Sequence, residues 1–208
     1  MISTVQQHII ARDISWLAFN ERVLQEALDE SNPIIERLRF LGIYSSNMDE
    51  FFRVRYASMK RLAQITSKKQ LRLGQRVPGD VLHEISEKVK DLQARSQEIN
   101  DMLMEELSQH DIEFVNEKDL TAGQQDFVRK YFVDKVSPTV FTLMIDPEAP
   151  LPELRDKSIY LSIRMYLKGE TDKPRIALIE VPSDLVGRFV QLPRYGKQYL
   201  MYLEDLIR

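Results

Sequence analysis

The residues best suited to bind a ligand lie in one short stretch, SSNMDE at positions 45–50. Ser45 and Ser46 carry hydroxyl groups. The amide of Asn47 offers both a donor and an acceptor, a pair that can match the edge of a nucleobase. The spacing of Asn47 and Glu50 is also that of a capping box, in which two side chains close the first turn of a helix. Two interpretations of Asn47 follow, capping alone and ligand binding, and from the residues by themselves capping is the simpler.

Catalytic and metal-binding patterns are absent from the sequence. Asp49 and Glu50 are adjacent, and neighbours on a helix point in different directions, so they suit the helix dipole better than acid–base work. There is no cysteine and hence no disulfide or thiolate chemistry. The histidines His8, His83 and His110 have no partner at metal-ligand spacing, so we place them on the surface. We therefore predict neither a catalytic residue nor a metal ligand in this chain.

A local positive run follows the SSNMDE stretch. Between Phe51 and Gly79 there are eight basic residues and no acid, in a chain of net charge -3: Arg53, Arg55, Lys60, Arg61, Lys68, Lys69, Arg72 and Arg76. The run could attract a polyanion such as a nucleotide, polyphosphate or nucleic acid. The alternative is a solvated surface balanced by the acidic helix that comes next. Few aromatic residues interleave the run and the net charge is negative, so nucleic acid is not an expected partner.

The first half of the chain must position these residues on helices. Residues 13–30 have the 3.6-residue period of an amphipathic helix, with an apolar stripe made of Trp16, Leu17, Phe19, Val23, Leu24, Ala27 and Leu28. Asn32 and Pro33 are expected to start a second helix that runs to Tyr44, with Ile34, Ile35, Leu38 and Leu41 on its apolar face. A third is expected to start at Asn47, with Met48, Phe51, Phe52, Met59 and Leu62 facing inward. Gly74, Pro78 and Gly79 predict a loop.

A long helix capped by Asp80 should come next. Its apolar seam, Leu82, Ile85, Val89, Leu92, Ser96, Ile99 and Leu103, suits a neighbouring helix in the same bundle or in a second subunit.

The pattern changes near residue 108 to a mixture of strands and helices. Residues 112–116 and 138–146 are strand candidates, and Thr121 with Gln124 predicts a capping box before a helix that ends near Lys135. Residues 158–167 alternate between apolar and polar and should form a hairpin with residues 175–181. The prediction is therefore an α+β chain: an all-α helical bundle over residues 1–107, then an α+β domain over residues 108–208.

Composition places the chain among soluble proteins. It has 208 residues, of which 43% are hydrophobic and 29% charged. No run approaches the roughly 18 apolar residues of a membrane span, and no signal peptide is visible. We expect a cytoplasmic location, and the sequence leaves peripheral attachment to a membrane open. The last residues begin an apolar helix face that has no capping signal, which suggests that the sequence continues in a longer protein.

Residues 14–55, ISWLAFNERVLQEALDESNPIIERLRFLGIYSSNMDEFFRVR, closely resemble the N-terminal signature of bacterial polyphosphate kinases, the type that synthesises long chains. The resemblance continues in LIEVPSDLVGRFVQLP at 178–193, which is similar to part of that family's second domain, and it thus covers nearly the whole chain.

The resemblance implies a helical domain at 1–107, a C-terminally truncated head domain at 108–208, and two further domains, similar to phospholipase D, that this chain lacks. It implies reversible transfer of the terminal phosphate of ATP to polyphosphate through a phosphohistidine, with Mg²⁺ and several arginines held by the lacking domains. It assigns Asn47 to the ATP site, near the adenine. No histidine of this chain matches the phosphorylated one, so this chain alone should be inactive. ATP or ADP and polyphosphate are the implied partners, and the complete enzyme should be a homo-oligomer.

Two other classes of function are kept open at this stage. The chain could be a helical interaction or oligomerisation module, built on the long seam. It could also be a polyanion-binding module, with nucleic acid as the ligand, built on the basic run.

Overall fold

The computed structural model describes residues 12–65, 77–146, 148–167 and 170–208. The chain divides into two compact units, Met1–Leu107 and Ser108–Arg208. In the described residues the first unit is helical and the second mixes helices with two small sheets, so the predicted α+β class is confirmed. No described helix combines the length and the apolar character that a membrane crossing requires.

The first unit is built from helices α1 to α4. They span Arg12–Leu28 (α1), Ile34–Glu50 (α2), Ala57–Ile65 (α3) and Pro78–Gln109 (α4), and a π-helical segment, Phe51–Tyr56, joins α2 to α3. The described part of the core comes from α1, α2, α4 and the π-helical segment, and its buried apolar members are Leu17, Val23, Leu24, Ala27, Tyr44, Met48, Phe51, Val81, Ile85, Val89, Leu92, Ile99 and Leu103.

The seam of α4 packs inside this unit. Five of the seven residues predicted for it, Ile85, Val89, Leu92, Ile99 and Leu103, are buried within the single chain. Val81 is buried in place of the predicted Leu82, which is only half-buried. The same-bundle interpretation of the seam is therefore the one that the structure supports.

Several residues predicted for the apolar faces of α1 and α2 are exposed to solvent. Phe19 is 57% exposed and Ile35 is 50% exposed, while two polar side chains, Asn20 and Arg37, are buried. Asn20 donates from Nδ2 to the Trp16 carbonyl (3.0 Å). A helical wheel cannot reveal such burial, because it depends on main-chain acceptors that the wheel does not show.

The predicted start of a third helix at Asn47 is wrong. Asn47 lies in the last turn of α2, and its carbonyl accepts a hydrogen bond from the Phe51 N–H, so the helix continues. The chain then widens into the π-helical segment, where the Ala57 N–H reaches back to the Phe52 carbonyl. A capping-box spacing needs a preceding break in the helix, and there is no glycine or proline from 43 to 50 to supply one.

The other predicted helix starts in this unit are shifted. Asn32 does not cap α2, since Pro33 occupies the cap position and the Asn32 amide donates to the Glu26 carbonyl instead. Pro78 and Gly79 belong to α4 rather than to a loop, and Asp80 lies in its first turn, with its N–H bonded to the Val77 carbonyl. The predicted loop residue Gly74 lies outside the described residues.

The second unit contains two three-stranded sheets. Its strands are β1 (Ile112–Phe114), β2 (Phe141–Ile145), β3 (Tyr160–Leu167), β4 (Glu170–Glu180), β5 (Phe189–Gln191) and β6 (Gln198–Tyr202), and its helices are α5 (Ala122–Tyr131), α6 (Ser183–Val186) and α7 (Leu203–Ile207). One sheet has the order β1-β6-β5, with β1 parallel to β6, and the other is the antiparallel β2-β4-β3. The buried core of the second unit contains Val136, Val181, Val190, Leu192, Met201, Leu203 and Leu206.

Local signals predicted most of this unit. The capping box of Thr121 and Gln124 is present with both of its hydrogen bonds, and the helix that it starts extends through a π-helical turn, Phe132–Val136. The hairpin is also confirmed, with Leu161 opposite Ile179. The three-residue strand β5 was not predicted.

Candidate functional site

Asn47 lies on the side of a continuous helix. It is half-buried, and Ser45 and Ser46 before it are exposed. Among the residues that the structure describes, the Asn47 side chain has no hydrogen-bond partner, whereas the side-chain amides of Asn20 and Asn32 each donate to a main-chain carbonyl. The Asn47 amide therefore does not cap this helix and keeps its donor and its acceptor available to a ligand.

The main chain at Asn47 is held in place by buried aromatic packing. Tyr44 and Met48, on the same turns of α2, are 4% and 7% exposed. Phe51, one turn further on, is fully buried and stacks on Trp16 with ring centroids 5.1 Å apart. Contacts of this kind fix the rotation of α2 about its axis, and so they fix the direction in which Asn47 points.

Tyr44 carries an unusual polar group for a core position. Within the described structure its hydroxyl has no hydrogen-bond partner. Burial raises the pKa of this phenol above its ordinary value, because the ionised form would lose its hydration. The hydroxyl therefore stays protonated at neutral pH.

The acidic pair next to Asn47 forms no catalytic arrangement. Asp49 and Glu50 are both exposed. Asp49 accepts a hydrogen bond from Arg53 across one helical turn (2.6 Å), a pair whose side chains are 57% and 42% exposed. Exposed pairs of this kind contribute little to stability. The expected first-turn role of these acids is wrong, because they lie at the end of α2 and not at the start of a helix.

Half of the basic run can be located. Arg53 and Arg55 belong to the π-helical segment, and Lys60 and Arg61 to α3. Arg55 is partly shielded and pairs with Asp13 of α1 at 3.4 Å, with its guanidinium 6.0 Å from the Trp16 ring centroid. The other four basic residues, Lys68, Lys69, Arg72 and Arg76, lie outside the described residues.

No described histidine is part of a site. His83 and His110 are exposed, in agreement with the sequence, and His8 is outside the described residues. Within residues 12–65, 77–146, 148–167 and 170–208, no three His, Asp or Glu side chains gather in a way that could hold a metal ion.

One structural feature has no counterpart in the sequence analysis. A surface groove of about 360 Å³ lies between the start of α1 and the helical stretch that follows α2, and is lined by Arg12, Asp13, Val54, Arg55, Ser58, Met59 and Leu62. The lining comes from two segments, 12–13 and 54–62, that are more than 40 positions apart in the sequence, so only the absence of acids after Phe51 pointed toward this surface.

Comparison with known proteins assigns both halves of the chain to one family. Residues 9–115 match the profile described as "Polyphosphate kinase N-terminal domain", and residues 123–208 match "Polyphosphate kinase middle domain". The polyphosphate kinase of Escherichia coli K12 is 40% identical over 203 residues, which cover 96% of this chain and 29% of that protein. The polyphosphate kinase of Halalkalibacterium halodurans is 38% identical over 198 residues, covering 94% of this chain and 28% of that protein.

A solved structure shows the same fold. The crystal structure of a polyphosphate kinase from Porphyromonas gingivalis matches with a TM-score of 0.82 and 31% identity, over 95% of this chain and 29% of that one. This chain thus spans less than a third of the length of the relatives that it matches.

Proposed function

Because this chain belongs to the polyphosphate kinase family, we propose that it is the N-terminal part of an enzyme that transfers the terminal phosphate of ATP, reversibly, to a growing polyphosphate chain. The observation that carries the proposal is the match to two successive domain profiles of the family, over residues 9–115 and 123–208. The agreement in fold with a kinase structure over 95% of the chain supports it independently.

In this proposal the chemical step belongs to the rest of the kinase. A phosphohistidine intermediate requires a nucleophilic histidine, and we assign that role to neither His83 nor His110, which are exposed and belong to no cluster. Mg²⁺ would neutralise phosphate charge during transfer. The described residues do not form a site that fits it, so no residue of this chain is assigned to the metal.

The role that we propose for this chain is recognition of the adenine of ATP by Asn47. An asparagine amide can donate to one ring nitrogen and accept from the amino group of adenine in a single planar contact. Asn47 suits this role because its amide has no partner among the described residues and because its helix is held by the Trp16–Phe51 stack. A main chain held in place before the ligand arrives leaves mainly the rotation of the Asn47 side chain to be lost on binding.

Replacing Asn47 with alanine in the complete kinase tests this role. Loss of a bidentate contact to adenine should raise KM for ATP roughly tenfold with kcat little changed, since the contact is present in ground and transition states alike. Stability should not fall, because position 47 is inside a helix and alanine is the better helix former by several tenths of a kcal/mol. Steady-state kinetics and thermal melting measure the two quantities.

The matched control is Ser46→Ala, at the exposed neighbour, which should change neither KM nor melting. An unchanged KM in Asn47→Ala would remove the adenine role. A loss of about 1 kcal/mol of stability with unchanged kinetics would instead assign Asn47 a structural role.

We also propose that the complete kinase is a homo-oligomer to which this chain contributes subunit contacts. The buried seam of α4 does not serve that purpose, but large apolar side chains of β2, Phe141 and Met144, are 69% and 51% exposed. Analytical ultracentrifugation of the complete kinase should show an assembly larger than one chain, and a monomer at high concentration would contradict this.

A further inference from the structure

From the geometry of the groove between α1 and the helical stretch after α2, we infer a second ligand site in this chain, for a nucleoside phosphate. We call it the Arg12–Arg55 groove, with the seven lining residues given above. It does not include Asn47, and the inference does not depend on the proposed adenine role of that residue.

The rim of the groove carries an excess of positive charge. Arg12 and Arg55 contribute two guanidinium groups, and Asp13 is the one carboxylate among the lining residues. Arg12 has no ion pair with any described residue, and Arg55 uses one of its five N–H groups in a long contact, 3.4 Å, with Asp13. Guanidinium groups with unused donors match the geometry of phosphate oxygens.

Residues around the groove add to its positive charge. No acid occurs in the sequence from Phe51 to Gly79, and Lys60 and Arg61 are exposed on α3. Asp49 lies on the preceding turn, but it is paired with Arg53 at 2.6 Å. Glu50, which is also exposed and lies one turn before Val54, opposes an approaching anion together with Asp13, so the positive charge of the groove comes from Arg12, Arg55 and the nearby Lys60 and Arg61.

The floor of the groove is apolar. Val54 and Leu62 are 51% and 45% exposed, and Met59 lies half-buried between them in sequence. The hydroxyl of Ser58 donates to the Val54 carbonyl at 2.6 Å, so Arg12 and Arg55 supply the donors for a ligand. Inorganic phosphate would leave this floor uncovered, whereas a molecule with a planar apolar body and a phosphate group covers both surfaces.

The size of the groove suits a small molecule. Its volume of about 360 Å³ lies within the range of small-molecule sites, roughly 300–1,000 Å³. A nucleoside phosphate fits these three features together, with its base on Val54 and Leu62 and its phosphates on Arg12 and Arg55.

Calorimetric titration of the 208-residue chain with ATP, and separately with tripolyphosphate, tests the site. We expect ATP to bind more tightly, and the double variant Arg12→Gln/Arg55→Gln to weaken both ligands by roughly tenfold or more. Leu62→Ser should weaken ATP without changing tripolyphosphate. Arg53→Gln is the matched control, because Arg53 is on the same segment but does not line the groove, and its variant should bind as the parent does.

Four outcomes would overturn the inference: no binding of ATP at millimolar concentration, equal affinity for ATP and tripolyphosphate, an equal loss in Arg53→Gln, or loss of ATP binding in Asn47→Ala alone. The last would place the nucleotide at Asn47, and would leave the proposed function standing while removing the groove. Arg12→Gln by itself guards against misfolding, since Arg12 is exposed and makes no described ion pair. The emission of Trp16, 6.0 Å from the Arg55 guanidinium, provides a second readout of fold and of binding.

Discussion

Replacing Arg37 with methionine should destabilise the first unit more than any exposed charge change, because this side chain connects three helices. Arg37 is 2% exposed in the first turn of α2. Its Nε donates to the Ala27 carbonyl, in the last turn of α1, at 3.0 Å, and its other end donates to Glu106 of α4 at 2.7 Å. The Ser31 N–H, which would bond to Ala27 if α1 continued, donates to the Asp29 side chain instead.

The magnitude follows from these two contacts. A hydrogen bond from a charged donor to a buried carbonyl is worth about 1.5–3 kcal/mol. The pair with Glu106, whose side chain is 32% exposed, adds at most about 1 kcal/mol after solvent screening. Methionine keeps most of the aliphatic stem, so packing changes little. Arg37→Met should therefore lower the free energy of unfolding by about 1.5–4 kcal/mol.

Urea unfolding followed by tryptophan fluorescence is the appropriate assay. The chain has a single tryptophan, Trp16, which is partly buried against the core of the first unit, so its emission reports that unit alone. Glu106→Gln is the matched variant, because it removes the ion pair but leaves the bond from Arg37 to the Ala27 carbonyl. It should lower stability by no more than about 1 kcal/mol.

The comparison of the two variants can refute the reasoning. Equal losses in Arg37→Met and Glu106→Gln would show that the ion pair, and not the bond to the helix end, holds the three helices together. A loss below about 1 kcal/mol in Arg37→Met would show that water replaces the guanidinium at the Ala27 carbonyl.

Two further predictions concern one residue in each unit. The pKa of Glu21 lies below its ordinary value, chiefly because Lys88 donates a hydrogen bond to its carboxylate and Arg95 donates another. The ionised carboxylate therefore stabilises the fold fully above the pKa that Glu21 has in the unfolded chain, about 4.5. This stabilisation is lost as the pH falls through the lower pKa of the folded state. Glu21→Gln should therefore reduce the loss of stability between pH 7 and pH 3 measured by urea unfolding, and an undiminished loss would contradict the assignment. A Cβ on Gly123 would collide with the Tyr195 hydroxyl but would contact the ring carbon beneath it at an ordinary 3.5 Å. Gly123→Ala should consequently give no gain in the parent chain but a gain of roughly 0.5 kcal/mol in a Tyr195→Phe background, and equal gains in both backgrounds, measured by thermal unfolding, would exclude the clash.

The parts of the fold that sequence reasoning predicted well depend on neighbours in the chain. The Thr121–Gln124 box and the β3–β4 hairpin are complete within short windows, so the residue types and their spacing suffice. The parallel pairing of β1 with β6 joins Ile112 to Gln198, and nothing in either strand specifies so distant a partner. The three-residue strand β5 is too short to show a period.

At the candidate site, sequence and structure gave different kinds of information. The sequence singled out Asn47 but interpreted its spacing to Glu50 as a helix start, because that spacing also occurs by chance inside a helix. Only the structure shows that the helix is continuous, which leaves capping out of consideration for the Asn47 amide. The contact of Arg55 with Asp13, 42 residues away, was beyond any local pattern.

The π-helical segment at Phe51–Tyr56 has a consequence for comparing and engineering related chains. A π turn holds one residue more than an α turn, so it acts as a built-in single-residue insertion. Winding the same residues as an uninterrupted α-helix would rotate everything after the segment by about 100° and advance it by about 1.5 Å along the helix axis. Arg55 and Met59 would then leave the groove although every side chain between them was kept. A related chain with one residue fewer at this point would keep α3 in place by winding as an ordinary α-helix, so the length of the segment and its winding must change together.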